Sequence, residues 1–333
     1  MRYRRATILV ATLVLCCAAL WMAAAGAWAS SPPSGQIAFV RDGDIWIMNT
    51  DGNGQRQLSA MGKEEQPAWS PDGTRIAFLR ATNPTTLWVM SADGSNARRV
   101  PFKLGAQQMP WHPGGKLSYW IEAVTWTPDG KYLTVGATAF SQGDTMAASY
   151  WARRLFRVRP DGNGQQAISP VDPDRKYQVG IVRHLSWRPD GKRILVTTWM
   201  RSATEVAEFN TATQRYARPF SKLHLGYAVW SPAGGRIVAC HPEGWGTPGR
   251  ARLVVIDMYT YKRHVIMRTD EVIGDPSQLY ATWSPDGRWI ACALTEYDYG
   301  VDEFKTGLLL LSADGGDAQV VSAEAAQPAW RPR

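Results

Sequence analysis

One phrase governs what this chain can fold into. It reads PAWSPDGTRIAF at 67–78, VTWTPDGKYLTV at 124–135, LSWRPDGKRILV at 185–196, AVWSPAGGRIVA at 228–239 and ATWSPDGRWIAC at 281–292. The chain then stops partway through the same phrase, at PAWRPR, 328–333. Aligned on tryptophan, the copies fall at Trp69, Trp126, Trp187, Trp230, Trp283 and Trp330, with spacings of 57, 61, 43, 53 and 47 residues. A period of that size, made of strand-like runs, points to the blades of a propeller and away from a helical solenoid.

The unit from 65 to 102 shows why. EQPAW is a short strand and SPDG a turn, in which Ser bonds locally, Pro fixes φ and Gly takes the last corner. TRIAFLR and TTLWVMS are the second and third strands, ADGSN is a hairpin turn, and ARRVPF is the fourth strand. Third-strand runs recur as DIWIMNT (44–50), RLFRV (154–158), LVVID (253–257) and GLLLL (307–311). Several are apolar without clean alternation, as suits a sheet covered on both faces by neighbouring blades.

The two ends complement each other. Residues 35–60 read as strands two to four of a unit without its first strand, and 326–333 as a first strand without the other three. The predicted fold is therefore all-β: a six-bladed propeller of four-stranded antiparallel blades, closed by a composite blade from both chain ends. PWHPGGKLSYW (110–120) is a weak extra copy. Only 15 residues separate Trp111 from Trp126, too few for a blade, so it reads as a connection between blades, with a seven-bladed ring as the alternative.

The WSPDGxxIAF…LWVM…DG unit resembles the WD-repeat-like units of the TolB β-propeller family, over about 300 residues. The resemblance implies a bacterial envelope protein that binds other envelope proteins. TolB itself has an N-terminal domain ahead of its propeller, whereas here the repeats begin almost directly after the first 29 residues. Ala233 stands where the pattern has Asp. Similar propellers cap prolyl-oligopeptidase-like and tricorn-like peptidases, but no Gly-x-Ser-x-Gly elbow occurs in the sequence. Oligogalacturonide lyases use a related propeller with His ligands for a metal. The five His here, at 112, 184, 224, 241 and 264, form no sequence motif.

Residues 1–29 read as a signal peptide or an N-terminal membrane anchor, and 30–333 as a single propeller domain. MRYRR is a basic start, an uncharged apolar stretch follows, and AWA before Ser30 fits a cleavage site. The length of the apolar stretch keeps an uncleaved anchor open. A lipoprotein signal is poor, because Leu15 precedes Cys16. Every reading places the body outside the cytoplasm, periplasmic or secreted. Without residues 1–29 the chain has 34 basic and 29 acidic residues, +5, and no dense Lys/Arg run, which argues against a nucleic-acid partner. Membrane contact is expected only through an uncleaved leader, and the protein is expected to be a monomer. Cys240 and Cys292 fall in apolar strands and read as buried, reduced thiols. Their one-residue offset within the repeat sends the two side chains to opposite faces of their strands.

First strands of a propeller line its channel, and the segments entering them form one rim. That brings Glu65, Gln66, Trp120, Glu122, Arg183, His184, His224, Tyr227, Tyr280 and Gln327 near one mouth, with Trp245 on a long loop of the same side. Aromatic and charged groups over a mouth suit a protein or peptide of the cell envelope, with carbohydrate as a further ligand class. The six repeat Trp are expected to be structural, packing blade on blade, and the repeat Asp to be turn residues. No catalytic residue, metal or cofactor is assigned. The expected function is a non-catalytic extracytoplasmic scaffold. The alternatives are a lyase-like enzyme acting on polysaccharide, with His184 and His224 near the chemistry, or a ligand sensor.

Overall fold

A computed structural model describes residues 32–103, 117–141, 150–170, 181–200, 203–223, 225–242, 251–269, 280–298 and 303–332. These form six four-stranded antiparallel sheets. The first is composite, with β1 (Gln36–Arg41), β2 (Asp44–Asn49) and β3 (Arg56–Gln57). The first internal blade has β4 (Glu64–Trp69), β5 (Arg75–Arg80), β6 (Thr86–Ser91) and β7 (Arg98–Arg99). The second has β8 (Leu117–Trp126), β9 (Leu133–Ser141), β10 (Tyr150–Val158) and β11 (Gln166–Ala167). The third has β12 (Ile181–Trp187), β13 (Arg193–Met200), β14 (Ala203–Asn210) and β15 (Arg215–Ala217). The fourth has β16 (Ala228–Trp230), β17 (Arg236–Pro242), β18 (Ala251–Asp257) and β19 (Arg263–Thr269). The fifth has β20 (Tyr280–Trp283), β21 (Trp289–Asp298), β22 (Glu303–Ser312) and β23 (Ala318–Ala323). The last strand, β24 (Ala326–Trp330), returns to the composite sheet as its innermost member.

The fold is thus the six-bladed propeller, and the seven-bladed alternative is set aside. Residues 104–116 lie outside the described residues. Leu117 to Trp120 are not a connection, as the sequence suggested, but the opening of β8. Each of six apolar clusters sits between two consecutive sheets, so the core is a ring of inter-blade contacts.

The turn phrase owes its residues to hydrogen bonding. In the first internal blade the Ser70 hydroxyl donates to Asp72 Oδ1 and accepts the Arg75 N–H, while Asp72 Oδ1 also accepts the Thr74 N–H. Gly73 closes the turn at φ +65°, a left-handed conformation that favours glycine. Thr127–Asp129 and Ser284–Asp286 repeat this arrangement. At Ala233 the hydroxyl half survives, with Ser231 Oγ accepting the Arg236 N–H, but the carboxylate half is missing.

The tryptophans fasten blade to blade. Trp69, Trp126 and Trp283 each donate their indole N–H to the preceding innermost strand, at Ala329 O (3.1 Å), Ala68 O (3.0 Å) and Val229 O (3.1 Å). Five of the six are between 4% and 7% exposed; Trp187 is only half-buried. At the closure, Ile37 pairs with Trp330 and Ala38 with Ala329. Arg331 then ties the composite blade to its neighbour, donating to Gln36 Oε1 and Gly73 O and lying 5.0 Å from the Trp69 ring.

Both described cysteines are buried, and neither is in a disulfide. They share one apolar cluster, between the fourth and fifth internal blades. The sequence argument that opposite strand faces keep them apart needs correcting: opposite faces of consecutive blades look at the same interface.

Candidate functional site at the channel mouth

The innermost strands enclose a central channel of about 580 Å³. One end is ringed by the prolines that follow the repeat tryptophans, Pro71, Pro128, Pro189, Pro232, Pro285 and Pro332. Three residues ahead of each Trp, toward the other end, stand Gln66, Ala123, His184, Tyr227, Tyr280 and Gln327. All but Ala123 line the channel.

Irregular backbone shapes that end. The strand register slips between Ile121 and Ala123, between Val182 and His184, and between Glu65 and Ala68. Such bulges re-aim the inserted residue, here Glu122 and Arg183. Gln66 and Gln327 take left-handed φ values of 54° and 49°. The Gln66 N–H donates to Gln327 Oε1 (2.5 Å), and Gln66 Nε2 donates to Glu122 O (2.6 Å). The mouth is therefore stitched across the closure.

Two carboxylates and one cation meet there. Glu122 Oε2 accepts the Thr138 hydroxyl and the Val182 N–H (3.0 Å), so it bridges the second and third blades. Burial pushes its carboxyl up to about 7, against the pull of those two bonds and of Arg183, while the Glu65 charge adds to the rise. Burial also raises Glu65, with Arg183 opposing. Arg183 itself is exposed. Beside this cluster three rings form a wall: His184 lies 4.1 Å from Tyr227, and Tyr227 lies 5.2 Å edge-on from Tyr280. Burial lowers His184 to about 3, the bond to the Ala228 backbone working the other way. Its Nδ1 is buried without a partner. The imidazole is neutral at neutral pH.

The sequence-predicted residues therefore divide. Gln66, Glu122, Arg183, His184, Tyr227 and Tyr280 converge on one mouth, although Tyr227, 5% exposed, is wall rather than contact surface. Trp120 is half-buried on β8, paired with Thr138. His224 and Trp245 lie outside the described residues. Gln327, also expected at the mouth, lines the channel and accepts from Gln66, whereas Thr138 was not singled out. For Gln327 a signal existed, because QPAW occurs at both 66–69 and 327–330. Thr138 has none: nothing in an apolar strand marks the hydroxyl that faces a bulged carboxylate. Among the described residues no group of three or more His, Cys, Asp or Glu is placed to hold a metal ion.

No family model matches the sequence, and no curated protein matches it. Solved structures do. A protein assigned as TolB from Agrobacterium tumefaciens is 13% identical over 89% of this chain and 92% of its own, with a TM-score of 0.57. A chain of the nidogen–laminin complex is 10% identical over 89% of this chain and 98% of its own, with a TM-score of 0.53. An acylaminoacyl peptidase of Pyrococcus horikoshii, 18% identical with a TM-score of 0.47, is matched over 83% of this chain but only 41% of its own length. At these identities the likeness is one of fold: the chain is a β-propeller protein.

Proposed function

We propose that the chain is a TolB-like extracytoplasmic scaffold, periplasmic or secreted, that binds a protein or peptide segment of the cell envelope at the channel mouth. The observation that carries this reading is the trio of Glu65, Glu122 and Arg183 beside an aromatic wall. A cation and two carboxylates at one rim offer donors and acceptors to the two ends of a peptide unit, and Tyr280 offers apolar contact area. The A. tumefaciens fold likeness and the apolar, basic-headed leader support the placement. The leader acts as signal peptide or anchor, and the propeller works as a monomer.

A polysaccharide-cleaving role is the weaker reading. Its general base or acid would be His184, and an imidazole held at about 3 is far from the range where acid–base catalysis at neutral pH is efficient. A photo-crosslinking residue at position 183 tests the scaffold reading in intact envelopes. Position 320, on the outermost strand of the fifth blade and 62% exposed, is the control. A discrete protein adduct at 183 that is absent at 320 supports it. No adduct at 183, or the same adducts at both positions, refutes it.

A further inference from the structure

A second groove opens at the other end of the ring, between the second and third internal blades. It encloses about 730 Å³ and is lined by Tyr132, Arg157, Trp187, Asp129, Asp190 and Gln214, among others. Its origin is a break in the blade pattern. Elsewhere a cation from the preceding blade lies over the repeat indole, supplied from either of two positions. The residue just after the preceding Trp serves at Arg188 over Trp230 (5.4 Å) and Arg331 over Trp69. The residue six after it serves at Arg75 over Trp126 (4.5 Å) and Arg236 over Trp283 (5.3 Å). Trp330 instead packs in one cluster with Trp289. In the second blade both positions lack a cation, being Thr127 and Tyr132.

Trp187 is accordingly the repeat tryptophan that remains half-buried. Its N–H donates to Thr134 Oγ1 (2.9 Å), not to a main-chain oxygen as in Trp69, Trp126 and Trp283. Tyr132 instead carries two cations, Arg157 at 4.9 Å and Arg159 at 5.9 Å from its ring. Arg157 is held by Gln166 Oε1 through one Nη (2.7 Å), yet its Nε is buried with no partner. That Nε is shielded from the groove, so the donors Arg157 can offer a ligand are those of its part-exposed Nη end.

We propose that this groove binds a neutral oligosaccharide. A sugar ring has a flat apolar face and a rim of hydroxyls that each donate and accept. The exposed part of Trp187 matches the face. Arg157 matches the rim as donor, and Asp129 and Asp190 match it as acceptors. The two carboxylates disfavour an anionic ligand, and the predominance of amide, hydroxyl and charged groups on the walls disfavours an apolar one. This site is separate from the channel mouth and does not depend on the scaffold reading.

The test uses the full chain and ligand-observed NMR at millimolar probe concentration. The probes are cellohexaose, chitohexaose, an oligogalacturonate and a proline-rich decapeptide. At least one of the two neutral sugars should bind, and the Arg157→Gln variant should weaken that affinity about tenfold or more. Trp187→Leu should do the same. Should that variant fail to fold, Arg157→Gln alone decides, with its thermal unfolding unchanged as the control. Binding of neither neutral sugar overturns the proposal. So does binding only of the acidic sugar or the peptide, or equal affinity in a folded Arg157→Gln protein.

Discussion

At pH 8 a Glu122→Gln variant should be more stable than the wild type, although it removes a charge that accepts two hydrogen bonds. The amide oxygen can still accept from Thr138 and Val182, and the amide copies the shape of the protonated acid. The magnitude follows from the shift. A carboxyl raised from 4.5 to about 7, at 1.36 kcal/mol per unit, disfavours the ionised folded state by about 3 kcal/mol. The folded protein holds this proton more tightly than the unfolded chain. The contribution of Glu122 is therefore fully present below pH 4.5 and is lost as pH rises through 7. His184 works in the opposite sense. Depressed from 6.5 to about 3, it contributes stability that is present above pH 6.5 and lost as pH falls toward 3. The two slopes oppose each other between 4.5 and 6.5, so the wild-type profile alone is uninformative. The difference between variant and wild type cancels His184. Urea unfolding of both proteins at steps between about pH 4 and 9 should give a difference that grows from its acid-side value by about 3 kcal/mol across neutrality. Parallel stability curves would refute the argument, as would a variant whose deficit grows with pH.

Three further outcomes follow from the frame. Ala233→Asp restores the carboxylate half of the turn in the fourth blade and should stabilise by about 0.5–1 kcal/mol in urea unfolding at pH 7, the yield of one turn hydrogen bond. Trp330→Ala, at a site 5% exposed, should cost about 3–5 kcal/mol, read as a lowered urea midpoint. A larger loss than for Trp187→Ala is expected, because Trp187 is already half-buried. Cys240 and Cys292, both buried thiols outside any disulfide, should resist alkylation in the native protein and label completely after unfolding without reductant. Peptides that stay unlabelled would mean the two are bridged.

Blade number and closure were legible because they rest on local chemistry. Ser or Thr before Pro-Asp-Gly can satisfy the turn without help from the rest of the chain, so each turn announces itself and its two flanking strands. The half-phrases at 35–60 and 326–333 had to complete each other, since an unpaired innermost strand would leave its backbone groups unsatisfied. The mouth was legible only as a neighbourhood. Which residue of a strand is inserted at a bulge depends on pairing across the sheet, so the sequence placed Glu122 at the rim without its bridge to Thr138 and Val182. The cysteines show the same limit from another side. Face alternation along one strand was read correctly, but their meeting depends on the ring, where each face belongs to a shared interface.

A repeat protein therefore has to be read in two passes. Agreement among copies reports what every blade needs: a turn, an indole, an aliphatic strand. Departures report where one interface differs from the other five. Tyr132 is a departure of this kind, and among the described residues it leaves Trp187 without a cation of the preceding blade over its ring. Glu122 and Arg183 are others, in the position just ahead of the channel-lining ring, where the fourth blade has Gly226 and the composite blade Ala326. A blade closes as well with Gly or Ala there, so the fold does not call for the charges. Two carboxylates held against burial, with a guanidinium acting on both, cost stability that packing alone would not demand. That cost is the physical reason to look for function at the mouth, and it makes the pH dependence of Glu122 a measure of how far the site has been set up at the expense of the fold.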